Sequence, residues 1–256
     1  MSEPSVLVER HGAIARVILN RPEKMNALDL DIRTSLLERL APLVDDDKVR
    51  AIVLSGQGGN FCAGGDINTM QGGEAIEHRK RMKHGHRVVR MLYDAEKPVV
   101  AAVEGYGVGA GAGLALAADL IVMGEAATIG FPFFRVGLIP DWGILHTLPR
   151  RVGVGRAKQA LLTARMLKGP EALAVGLCDL LVPDAEVLAR AMAEAERLAA
   201  QPRHAFALVK RQLHLYPTPL EESLEMEALG QALGFNTADF REGRAAFLEK
   251  RKPEFD

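Results

Sequence analysis

Two glycine-rich stretches and one aspartate are the residues of this chain best suited to chemistry. The first stretch reads Asn60-Phe61-Cys62-Ala63-Gly64-Gly65-Asp66-Ile67. The second reads Glu104-Gly105-Tyr106-Gly107-Val108-Gly109-Ala110-Gly111-Ala112-Gly113. Glycine has no Cβ, so backbone N–H groups can face outward and a ligand can approach closely. At the start of a helix such N–H groups lack intrahelical acceptors and add to the positive end of the macrodipole. Two loops of this kind facing each other would grip one oxygen on which negative charge develops. Losing one donor of such a pair costs about 3 kcal/mol of transition-state stabilisation. Each loop taken alone also reads as a plain turn. Asp141 stands among Phe133, Phe134, Val136, Leu138, Ile139 and Trp142. Desolvation there would raise its pKa and make it a better base near neutral pH. The plainer reading of Asp141 is an N-cap for a helix over 142–150.

Other candidates weigh less. Gly105-x-Gly107-x-x-Ala110, with Glu125 about twenty residues on, matches a relaxed dinucleotide fingerprint. Nearly a hundred residues precede it, however, and a dinucleotide site leaves the first loop unexplained. His86 is a lone histidine on a predicted helix, Asp119 reads as a helix end, and Glu104 as a solvated carboxylate. Cys62 and Cys178 have neither metal-ligand spacing nor a disulfide pattern, which points to no metal and to a reduced, cytoplasmic setting.

The elements that must position these groups are legible in outline. Residues 6–8 and 13–19 read as two strands around His11-Gly12. Asp29 is placed to cap a helix bearing Leu30, Leu36, Leu37, Leu40, Leu43 and Val44. Residues 51–54 form a short apolar strand running into the first loop. A helix is predicted over 74–93 and a buried strand over 98–103. The second loop turns into a short helix ending near Asp119, and a strand follows over 120–123. Strand, glycine loop and helix thus occur twice in order, the pattern of an α/β core. From 184 to 251 the chain reads as almost wholly helical. Residues 1–183 are therefore expected to form the core and residues 184–256 a helical C-terminal region. The depth of any pocket would depend on the packing of residues 70–82 and 131–134.

Composition excludes several classes. The 256 residues are 48% hydrophobic and 25% charged, which is the balance of a globular protein. A net charge of -1 offers no basic face for nucleic acid. The apolar stretch between Glu104 and Asp119 falls short of the ~20 residues of a membrane span. The N-terminus lacks the basic and apolar regions of a secretory signal.

Five segments in order resemble the crotonase, or enoyl-CoA hydratase/isomerase, family. They are Asn20-Arg21-Pro22-Glu23-Lys24-Met25-Asn26-Ala27-Leu28, Phe61-Cys62-Ala63-Gly64-Gly65-Asp66, Lys97-Pro98-Val99-Val100-Ala101-Ala102-Val103 with the glycine loop and Asp119, Gly137-Leu138-Ile139-Pro140-Asp141, and Phe247 to Pro253. The resemblance implies a spiral of repeated ββα units, a C-terminal helical oligomerisation region, trimers or hexamers, and an acyl-CoA thioester ligand with no separate cofactor. Carried over by position, the N–H groups of Gly65 and Ala110 form an oxyanion hole. Lys24, Ala27, Leu28, Ala63, Gly64, Asp66 and Ile67 then lie along CoA, while Phe133, Phe247 and Lys250 contact CoA or substrate. The two glutamates of the family's hydratases fall at Gly113 and Phe133, neither of which ionises. An aspartate at position 141 is similar to isomerases acting on ring-containing acyl-CoAs, including epoxyphenylacetyl-CoA isomerase. It also matches the nucleophile position of 4-chlorobenzoyl-CoA dehalogenase, where His86 aligns approximately with a histidine. The expectation is an acyl-CoA isomerase with Asp141 as its proton carrier. Hydration and acyl-CoA binding without catalysis are the alternatives.

Overall fold

The computed structural model describes residues 3–70 and 73–255. Its strands are β1 (Val6–His11), β2 (Ile14–Leu19), β3 (Ala51–Gly56), β4 (Val99–Val103), β5 (Tyr106–Val108), β6 (Leu120–Gly124), β7 (Thr128–Gly130), β8 (Met166–Lys168) and β9 (Leu180–Val182). Its helices are α1 (Leu30–Asp45), α2 (Ala75–Tyr93), α3 (Ala110–Leu116), α4 (Ile144–Val152), α5 (Val154–Leu162), α6 (Gly169–Ala174), α7 (Val187–Ala199), α8 (Arg203–Leu215), α9 (Leu220–Gly234) and α10 (Ala238–Glu249). Residues 71 and 72, within the segment expected to shape the pocket, lie outside the described residues.

Six strands make the main sheet in the order β1-β2-β3-β4-β6-β9. Only β1 and β2, joined at Gly12, pair antiparallel; the rest of that sheet is parallel. Parallel strands covered on both faces read as continuous apolar runs, as β3 and β4 do. Alternate side chains then feed two cores. Ile52, Leu54, Val99 and Ala101 pack with Ile32, Leu36 and Leu40 of α1 and Val88 and Leu92 of α2. Val53, Val100 and Ala102 pack with Val187, Ala191 and Ala195 of α7 on the opposite face. Helix α7 thus covers the sheet although it begins beyond residue 183. A second sheet has the order β5-β7-β8. Its strand β5 sits inside the second glycine loop.

Two local readings change. Asp119 does not end a helix, since α3 stops at Leu116. Its carboxylate instead accepts from Val99 N at 2.8 Å and pairs with Lys210 of α8 at 2.8 Å, tying the C-terminal helices to the sheet. Glu104 is half-buried rather than solvated, and burial raises its pKa.

Helices α8 to α10 carry Val209, Leu213, Leu224, Leu229, Leu233, Phe240 and Phe247 exposed. The chain's surface of 13804 Å² exceeds the about 11000 Å² expected of a monomer of this mass. No described helix is long and apolar enough to cross a membrane.

Asn26 holds the approach to the first loop. It is fully buried at φ 58, in the left-handed region. Its Nδ2 donates to Gln57 O at 2.9 Å and Asn60 O at 2.6 Å, while its Oδ1 accepts from Arg21 N at 2.8 Å. Asn26→Ala orphans all three groups and is expected to cost about 2–4 kcal/mol. Urea unfolding at fixed protein concentration measures this, and an unchanged midpoint would show that the junction is dispensable.

Candidate active site

The main chain stitches the two glycine loops together. Phe61 N donates to Glu104 O at 2.8 Å, Cys62 N to Tyr106 O at 2.7 Å, and Val108 N to Cys62 O at 2.9 Å. A third segment joins from the outside. Ala63 N donates to Met25 O at 2.9 Å and Leu28 N to Gly64 O at 2.7 Å. Lys24, Ala27, Leu28, Ala63, Gly64 and Asp66 are thereby brought into one cluster, with the Lys24 ammonium 3.3 Å from Asp66. Burial pushes the Asp66 carboxyl upward, but the Asn68 N–H and Lys24 outweigh it and hold its pKa below the usual value. Ile67 stands exposed at the rim.

Glycine is required where the loops touch. A Cβ on Gly64, which has φ 98, would lie 2.7 Å from Val108 O and 3.6 Å from Ala110 N. One on Gly111 would strike Cys62 O. The Ala110 N–H opens α3 and has no intrahelical acceptor by helix geometry. Among the described backbone bonds the Gly65 N–H likewise donates to nothing. Two free donors therefore end up on neighbouring loops. The methyl of Met70 lies over Gly65.

The dinucleotide alternative fails on geometry. Its motif contains a strand, β5, paired with β7, rather than a tight strand-to-helix turn, and Glu125 is exposed. Cys62 is no nucleophile, since burial pushes its thiol up to about 12. His86 is half-exposed on α2, and burial with Arg90 lowers its pKa.

Asp141 does not cap a helix. Helix α4 begins at Ile144 with Gly143 as its N-cap, so the helix expected from 142 starts two residues later. The Asp141 Oδ1 atom is buried with no hydrogen-bond partner in the protein. Burial raises its pKa to about 6, against the opposing pull of Arg33 and Arg81. A carboxyl so placed can accept a proton near neutral pH.

Trp142, next in sequence, is 1% exposed with φ 50. Its Cβ stands 2.5 Å from where a side chain on Gly113 would begin, and its ring 2.9 Å from where one on Gly85 would begin. The indole thus packs on α2 while the Cβ and main chain of Trp142 pack on α3, where they occupy the space that any side chain at position 113 would need. Phe133 is buried beside the second loop, its Cζ 3.9 Å from the Cβ position of Gly109.

The sequence alone did not single out one buried charge near the loops. Arg33 is 1% exposed and donates from Nη2 to Leu28 O at 3.1 Å. Its guanidinium carbon lies 5.7 Å from the Trp142 ring centroid, and its Nη2 3.6 Å from the Cβ position of Gly65. Burial lowers its pKa to about 10, and Arg81 adds to that, whereas Asp141 opposes it. The signal was present: Arg33 is in helical register with Leu36, Leu37 and Leu40, a charge on an apolar stripe.

Phe247 and Lys250 are not joined to the cluster. Phe247 is 83% exposed on α10, Lys250 is exposed at that helix's end, and neither bonds to the glycine loops.

The enoyl-CoA hydratase/isomerase family profile matches residues 9–256. A crotonyl-CoA hydratase of Syntrophomonas wolfei is 35% identical over 257 residues, covering 100% of this chain and 99% of the relative. A 1,2-epoxyphenylacetyl-CoA isomerase of Escherichia coli K12 is 35% identical over 255 residues, covering 98% and 97%. The crystal structure of an enoyl-CoA hydratase from Bacillus anthracis superposes with a TM-score of 0.93 at 30% identity, covering 98% of each chain. Hydratase is the commoner name among the relatives, yet a hydratase and an isomerase match at the same 35%. The stitched loops, the fold and these similarities agree that the chain belongs to the enoyl-CoA hydratase/isomerase family and has its crotonase fold.

Proposed function

We propose that the protein is an acyl-CoA isomerase in which Asp141 carries the proton. The observation that carries this reading is the pairing of a half-buried Asp141, whose Oδ1 is buried and unpartnered, with a Trp142 that any side chain at position 113 would strike. The thioester carbonyl would sit between the N–H groups of Gly65 and Ala110. Lys24, Ala27, Leu28, Ala63, Gly64, Asp66 and Ile67 would line CoA, and Phe133 the acyl group. Asp141 takes a proton from carbon conjugated with the carbonyl, and the C–H electrons flow onto the thioester oxygen. The two amides stabilise that enolate. As the enolate collapses, Asp141 returns the proton to a different carbon and the double bond moves. One carboxyl suffices because removal and return share it.

The exposed apolar helices and the excess surface support assembly as a trimer or a pair of trimers, in which Phe247 and Lys250 reach a neighbouring subunit's CoA. Free, buried Cys62 and Cys178 are consistent with a reducing cytoplasm. Hydration is the second reading, favoured by the hydratase names among the relatives. It would require water to be activated by Asp141 alone.

Three outcomes are expected. Asp141→Asn should lower kcat on 3-enoyl-CoA or ring-acyl-CoA substrates by about 10²–10⁴-fold with affinity within a few-fold; unchanged turnover refutes the role. The ionised carboxylate is the base, so wild-type kcat should fall about tenfold per pH unit below about 6. A flat profile from pH 7 to 5 contradicts this. Gly113→Glu should create no hydratase and should lower the melting temperature, because its Cβ meets Trp142. Efficient hydration of a 2-enoyl-CoA by wild type would restore the second reading.

A further inference from the structure

We propose that Arg33 selects the acyl group, and that the substrate is an acyl-CoA whose acyl portion carries an acceptor oxygen beyond the thioester. This rests on the reading of the paired glycine loops as an acyl-CoA site. A guanidinium offers five N–H donors and stays charged in a protein. Arg33 is 1% exposed and makes one hydrogen bond, to Leu28 O; its Nε and Nη1 are buried with no partner in the protein. No described carboxylate lies within ion-pair distance of it. Buried charges are ordinarily paired, because an unpaired one forfeits its hydration without return. An arginine serving packing alone would be expected to carry its own counter-ion.

The surroundings say where its donors lead. Nη2 is beside Gly65, the guanidinium overlies Trp142, and Asp141, whose Oδ1 is also unpartnered, is close enough to perturb it. Arginine and aspartate are thus neighbours whose unpartnered atoms, Nε and Nη1 on one and Oδ1 on the other, do not satisfy each other. Arg33 and the Asp141 Oδ1 are buried, whereas Lys24 and Ile67, aligned with CoA, are exposed. Asp29 and Cys62 also face the guanidinium. Arg81, held to Thr69 by both of its Nη atoms, adds a second positive charge from α2. With Nε and Nη1 left without acceptors, the guanidinium favours a ligand group that supplies one: a carboxylate, a ketone or a hydroxyl. All three share the acceptor oxygen that a guanidinium recognises.

The test uses hydrolysis-resistant ketone analogues of acyl-CoA in which CH₂ replaces the thioester sulfur. Analogues of equal chain length end in methyl, hydroxyl, ketone or carboxylate, and calorimetry measures their binding to wild type, Arg33→Met and Arg33→Lys. Wild type should bind at least one oxygen-bearing analogue about 10–100-fold more tightly than the hydrocarbon, the size of a hydrogen bond to a charged group. The ratio should fall to within about twofold in Arg33→Met and recover in part in Arg33→Lys, following the loss and return of a cation. The preferred oxygen identifies the substrate class. Equal or tighter binding of the hydrocarbon by wild type overturns the proposal, as does a preference that survives in Arg33→Met. Should Arg33→Met fail to fold, the wild-type ratio and Arg33→Lys still decide. Binding of all analogues without discrimination removes only the role of Arg33. Binding of none removes the acyl-CoA reading on which it rests.

Discussion

The structure depends on a short ladder of main-chain hydrogen bonds between residues 61–62 and 104–108. These bonds force two glycine loops from different parts of the chain into contact, and the contact leaves the N–H groups of Gly65 and Ala110 free. Glycine at 64 and 111 is the steric condition, since a Cβ at either would meet the other loop's backbone. The sheet supplies rigidity: β3 delivers the first loop and β4 the second, and both strands are buried throughout. Fixed donors stabilise developing charge without reorganising at the moment of reaction. A rigid parallel sheet under two loops is a sound way to fix them.

Trp142 shapes the surroundings of the acid. In a left-handed backbone conformation, it wedges between Gly113 of α3 and Gly85 of α2. A buried tryptophan there does two things at once. It removes the room for a side chain at position 113, and it fixes the backbone beside Asp141, whose carboxyl caps no helix and whose Oδ1 is buried. Desolvation then raises its pKa, which suits one group that must both take and return a proton. Cation, acid and indole are neighbours, so a change in any one is felt by the other two.

Much of this was legible in the sequence because it is local. Asp29 caps α1 as its position implies, its side chain accepting from Ile32 N at 3.0 Å. The apolar runs at β3, β4 and β6 are strands, and 75–93 is a helix. The glycine loops announced backbone chemistry because no other residue type permits such close approach. Strand β5 was hidden because Tyr106-Gly107-Val108 reads as turn until β7 is there to pair with it. The plainer reading of Asp141, as a helix cap, fails because Trp142 and Gly143 take positive φ and delay the helix to Ile144. The Asp119–Lys210 pair spans 91 positions, beyond any local pattern. Arg33 could have been flagged by its register, but only the fold shows that its donors go unanswered.

The central claim is that two backbone amides converge on one thioester oxygen. A saturated acyl-CoA labelled with ¹³C at the carbonyl, bound to the protein and observed by NMR, tests it most directly. Hydrogen bonding from Gly65 and Ala110 polarises the C=O bond and should move the bound resonance downfield of the free ligand. The shift should persist in Asp141→Asn, because the amides and not the acid cause it. A bound carbonyl resonating where the free ligand does would contradict the account.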